Sequence, residues 1–121
     1  MNRATLLKEI NLDQFIALDF ETTGLQVKTD RIIEVAAILF ENGEPTKRFT
    51  SLVKPGIPIP TLIENITGIT NKMVEDAPSE KDIIDDFFKF ISNYKFYFFK
   101  QSHWASFNKG LTALFFSIAF V

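Results

Sequence analysis

The chain has 121 residues, 46% of them hydrophobic and 23% charged, which fits one small globular domain and not a disordered chain. A net charge of −2 argues against a broad basic surface that holds duplex nucleic acid by charge alone, although metal ions in a site can supply positive charge locally. The absence of cysteine excludes disulfides and thiolate metal sites and fits a cytoplasmic protein.

Residues 1–13 read as a leader ahead of a domain at 14–121. The leader holds Arg3 and Lys8 but no apolar core, so it is not a signal peptide. Phe15 to Phe20 is a short apolar run with β-branched and aromatic residues, predicting a central strand. Arg31 to Phe40 predicts a second strand, Glu41-Asn42-Gly43-Glu44 a hairpin turn, and Thr46 to Val53 the antiparallel third strand. Pro55, Pro58 and Pro60 mark a loop. Thr61 and Glu64 have capping-box spacing, Thr70 can cap Asn71 to Asp76, and Ser79 with Asp82 opens a longer helix. That helix carries Ile83, Ile84, Phe87, Phe88 and Ile91 as an apolar stripe, with Asp82, Asp85 and Asp86 in its first turn or on its wet face. Tyr94 to Phe99 predicts another strand, Ser102 to Asn108 a loop, and Lys109 onward a helix. The aromatics from Phe87 to Phe99 read as core. The expected fold is a mixed α/β sheet: three antiparallel strands, then helix, strand and helix.

Asp19-Phe20-Glu21-Thr22-Thr23-Gly24-Leu25 is the most informative stretch. Side chains alternate across a strand, so Asp19 and Glu21 share a face and Phe20 takes the other. Neighbouring carboxylates repel, and chains tolerate that where a divalent cation such as Mg²⁺ or Mn²⁺ lies between them. Gly24 lets the backbone turn or approach a ligand closely. Glu34, between apolar neighbours, reads as facing solvent or an ion pair. After Asp86 no Asp or Glu occurs, and the last 28 residues hold half of the 14 Phe. Leu111 to Val121 is apolar but about half the length of a bilayer span, so it reads as a buried helix and no membrane partner is expected.

Asp19-Phe20-Glu21-Thr22-Thr23-Gly24 resembles the first motif of the DEDDh 3′–5′ exonucleases, which have a ribonuclease H-like fold. The likeness continues through Arg31-Ile32-Ile33-Glu34-Val35-Ala36, Ile66-Thr67-Gly68-Ile69-Thr70, Met73-Val74 and Ala77-Pro78. These pieces look most like the epsilon branch of DNA polymerase III, the proofreading subunit, over residues 14–93. The resemblance implies removal of nucleotides from the 3′ end of single-stranded DNA or RNA, with a polymerase subunit as a possible partner. It also implies two divalent metals, Mg²⁺ or Mn²⁺, held by four carboxylates, and a histidine as general base. Asp19 and Glu21 match the first two carboxylates and are the implied catalytic and metal-binding residues. Thr22, Thr23, Gly24 and Leu25 match contacts to the terminal nucleotide: amides and hydroxyls on sugar and phosphate, an apolar side chain on the base.

Ser102-His103-Trp104-Ala105-Ser106-Phe107-Asn108 has the spacing of the family's second motif, with Trp104 where the family has Asn and Asn108 where it has the metal-binding Asp. An amide oxygen can ligate a dication but brings no charge, so metal affinity is expected to fall. Asn108 reads equally as a helix N-cap, and His103 as a packed loop histidine. The third motif, a His followed shortly by Asp, is absent. The chain is therefore expected to be a domain incomplete at its C-terminus, either a fragment or frame-shifted product of a longer exonuclease or a degenerate paralogue that binds without cutting.

Overall fold

Alternation along β1 (Gln14–Thr22) divides its side chains between two environments. Ile16, Leu18 and Phe20 are buried, whereas Phe15, Ala17, Asp19 and Glu21 stand half-buried on the opposite face. The computed structural model describes residues 2–26 and 28–98; the expected loop Ser102–Asn108 and the helix from Lys109 lie outside them.

β1 pairs antiparallel with β2 (Ile32–Glu41), placing Ile16 opposite Leu39 and Phe20 opposite Val35. β2 turns at Asn42 (φ 52°) and Gly43 (φ 84°) into β3 (Glu44–Leu52). Positive φ at both central positions matches the right-handed strand twist, which is why Asn-Gly closes this hairpin. β4 (Lys95–Phe98) then pairs parallel with β1, Ile16 facing Phe96, and the sheet order is β3-β2-β1-β4. A parallel neighbour needs a crossover connection, and α3 (Glu80–Ile91) supplies it.

α3 opens with the predicted capping box: Asp82 N donates to Ser79 Oγ and Ser79 N donates to Asp82 Oδ2. Its stripe of Ile83, Ile84, Phe87, Phe88 and Ile91 packs on Ile16, Leu18, Phe20, Val35, Ala37 and Leu39. Phe87 is central, 5.6 Å from Phe49 edge-on and 6.1 Å from Phe20. Of the aromatics expected in the core, Phe87, Phe88, Phe90, Tyr94 and Phe96 pack there. Tyr97 does not: strand parity turns it to the other face, where it is half exposed and meets Phe15 edge-on.

A second cluster, Ile33, Ile59, Ile69 and Val74, seats the proline-rich segment and α2 (Thr61–Thr67) against the end of β2. The expected Thr61–Glu64 capping box does not form. Pro60 is the N-cap of α2, and Glu64 Oε1 instead accepts from the backbone N–H and side-chain amide of Asn71. Asn71 also exchanges hydrogen bonds with the backbone of Ile59. Gly68, at φ 76°, ends α2 in the left-handed conformation. The Glu64–Asn71 and Asn71–Ile59 hydrogen bonds thus clasp α2 to the proline-rich segment. Thr70 caps as expected, its Oγ1 accepting from Met73 N, though residues 71–76 form turns and not a helix.

Ahead of β1 lies a short helix, α1 (Arg3–Glu9), capped by Asn2 and joined to the β2–β3 hairpin through Arg3 Nη2 and Glu44 Oε1 at 3.3 Å. Among the described residues no helix is long and apolar enough to cross a membrane.

Candidate nucleotide and metal site

The face of the sheet away from α3 changes character along β1. Phe15 and Phe40 stack at one end, with ring centroids 5.3 Å apart. Asp19 and Glu21 stand at the other end, with Glu34 directly opposite Glu21. One oxygen of Asp19, Oδ1, is buried. Two hard oxygen ligands on one strand face, one of them withdrawn from water, suit part of a divalent-cation site. Among the described residues no three His, Cys, Asp or Glu side chains converge as a metal site; Asn108 and His103 lie outside these residues.

The ladder slips at Glu21/Thr22, so that Thr22 pairs with Ile32. Such a bulge re-aims the strand, and here it brings Thr22 and Thr23 into buried positions. Both hydroxyls are engaged within the turn. Thr22 Oγ1 donates to Gly24 O at 2.8 Å, and Thr23 Oγ1 donates to Asp30 Oδ1 at 2.7 Å. Thr23 is further held by N–H donation to Arg31 O and by acceptance from Arg31 N. Gly24 is needed for closeness: a Cβ there would lie 2.6 Å from Asp30 Oδ2.

Beyond the turn, Glu21, Thr22, Thr23, Gly24 and Leu25 line one side of a groove of about 430 Å³. Its other side is α2 and the residue before it: Pro60, Leu62, Ile63, Ile66 and Thr67. Leu25, Leu62 and Ile66 are 53%, 67% and 70% exposed. Three large apolar side chains turned to solvent around one acidic edge form a wall for something flat and apolar that carries a polar end. Thr22, Thr23, Gly24 and Leu25, the expected nucleotide contacts, line one side, and the residues of the other were not among those expected to bind. The signal was present in Leu62 and Ile66, an i,i+4 apolar pair on a helix whose inward side Ile63 already supplies.

Fold and site together define a class. An exonuclease family profile (RNase_T) matches residues 16–103, and the chain belongs to that family. It carries an exonuclease domain homologous to the epsilon subunit of DNA polymerase III, as its first motif implies. The sequence is 37% identical over 79 residues to the DNA polymerase III subunit epsilon of Aquifex aeolicus, covering 65% of this chain and 39% of that protein. It is 39% identical over 83 residues to the 3′-5′ exonuclease DinG of Bacillus subtilis, covering 68% of this chain and 9% of that protein. The chain therefore spans well under half of these relatives. Among solved structures it is similar to Exonuclease X in complex with 5′ overhanging duplex DNA, with TM-score 0.61 and 28% identity over 74% of this chain and 50% of that one. The exonuclease I chain of the ExoI/SSB-Ct complex shares the fold, with TM-score 0.67 at 19% identity over 89% of this chain and 24% of that one.

Proposed function

We propose that the chain is a metal-dependent 3′–5′ exonuclease domain acting on the 3′ end of single-stranded nucleic acid. The observation that carries this reading is the groove, in which the first-motif residues and the exposed side chains of α2 face one another. The terminal base lies against Leu25, Leu62 and Ile66, where burial of their exposed apolar surface favours binding. Sugar and phosphate then lie toward Glu21 and the backbone of Thr23 and Gly24. Asp19 and Glu21 would hold Mg²⁺ or Mn²⁺, which would supply an activated water and positive charge at the scissile phosphate. The likeness to polymerase III epsilon supports a polymerase as partner, in the cytoplasm.

A labelled single strand incubated with the chain and Mn²⁺ tests this. Shortening from the 3′ end that is absent in Asp19→Ala is the expected result; equal shortening by both proteins refutes it. A second reading, binding without turnover, is favoured by Asn108, which brings no charge where the family has a carboxylate. Retention of the strand with no shortening would select it.

A further inference from the structure

We propose that Asp30 is the positioning residue that gives the groove its shape, a role that rests on the nucleotide-binding reading above. Asp30 lies seven residues beyond Thr23, outside the acidic motif, yet both of its carboxylate oxygens are committed to the motif's loop. Oδ1 accepts from Thr23 Oγ1 and Oδ2 accepts from Gln26 N, each at 2.7 Å. Asp30 N donates in turn to Gln26 O at 2.8 Å. The same carboxylate packs beneath Gly24, close enough that any Cβ at that position would displace it.

Three consequences follow from one side chain. The loop is closed at both ends by charge-assisted hydrogen bonds, which are stronger than neutral ones. Leu25, which lacks a packed environment of its own at 53% exposure, is held at the groove edge by that closure. The Thr23 hydroxyl, having given its only proton to Asp30, cannot donate to a phosphate. The threonines therefore build the turn, and the ligand meets backbone and Leu25. Gly24 does not adopt the left-handed conformation. Its need is thus steric and is set by Asp30.

The experiment compares wild type with Asp30→Ala, Asp30→Asn, Gly24→Ala and the double variant G24A/D30A. Affinity for a labelled single-stranded oligonucleotide is read with Ca²⁺ in place of Mn²⁺ so that the strand is not shortened, tryptic cleavage after Lys28 reports loop closure, and circular dichroism checks folding. Asp30→Ala is expected to cleave faster at Lys28 and to bind about tenfold more weakly, the scale of one charge-assisted hydrogen bond. Asp30→Asn falls between, because its amide can still accept from Thr23 but presents no second acceptor to Gln26. Gly24→Ala binds as poorly as Asp30→Ala, and the double variant binds no worse than either, because the clash needs the carboxylate. Losses that instead multiply to about a hundredfold in the double variant overturn the proposal. So does faster cleavage with unchanged affinity. If wild type itself binds no oligonucleotide, the nucleic-acid reading falls separately. Cleavage at Lys28 still decides the clamp, and a wild-type rate in both Asp30 variants overturns it.

Discussion

Glu21 in β1 lies directly across the ladder from Glu34 in β2, and Asp19 shares their face of the sheet. Like charges facing each other across a strand pair destabilise it by roughly 0.2–1 kcal/mol. Glu34→Gln is therefore expected to raise the thermal midpoint in chelator, and Mn²⁺ is expected to narrow the gap between variant and wild type. A cation bound by the native site alone also raises the midpoint by mass action, and Asp19→Ala should lose that response. Differential scanning with and without Mn²⁺ measures both effects. A lower midpoint for Glu34→Gln in chelator would count against repulsion at this pair.

The groove makes a prediction about affinity without stability. Leu62 and Ile66 are more than two-thirds exposed, so replacing both by Ala should change folding stability by less than about 1 kcal/mol. Oligonucleotide affinity should nevertheless fall about tenfold or more if a base packs on their apolar surface. Anisotropy titration beside urea unfolding separates the two quantities; equal affinity would remove α2 from the site.

Helix α3 predicts an acid limb. The Ser79 backbone N–H, and secondarily its hydroxyl, hold the Asp82 carboxyl below its ordinary value of 3.8. A depressed carboxylate contributes stability that is present above 3.8 and is lost as pH falls through the lower folded value. Asp82→Asn should flatten stability as pH falls below about 4. Ser79→Ala should cost about 1 kcal/mol at neutral pH by removing the cap, yet keep most of the acid limb, because the backbone donor remains. Chemical denaturation across that range distinguishes the two variants.

Phe87 joins the helix to the sheet, 2% exposed and in contact with Phe20 and Phe49. Phe87→Ala should cost about 3–5 kcal/mol, a large share of a small domain's stability. Loss of the cooperative thermal transition is the expected outcome; a shift of a degree or two would show that the cluster is not the principal core.

Much of the fold was legible because its determinants are local. Period-two burial marks β1, Asn42-Gly43 marks the hairpin, and Ser79 with Asp82 marks the start of α3. Each signal is carried by residues within a few positions of one another. Errors arose where a distant partner intervened. Glu64 has the spacing of a capping residue, but Asn71 recruits its carboxylate. Tyr97 reads as core by composition, but pairing with Ala17 fixes which face it takes. α1 was overlooked although its signal is local, the Asn2 side chain accepting from Thr5 N at its start.

The site divides in the same way. That Asp19 and Glu21 share a face follows from strand geometry alone, and the family was legible from that motif together with Ile66-Thr67-Gly68-Ile69-Thr70 at fitting spacing. What stands opposite Asp19 and Glu21 was not. Glu34 across the ladder, Leu62 and Ile66 across the groove and Asp30 beneath Gly24 all depend on register and on how α2 docks. Burial of Ile16, Leu18, Phe20, Val35 and Leu39 in the main core decides the register, and burial of Ile33, Ile59, Ile69 and Val74 in the second cluster decides how α2 docks. Local sequence specifies which groups a strand presents; only the packing of distant apolar residues decides what those groups face.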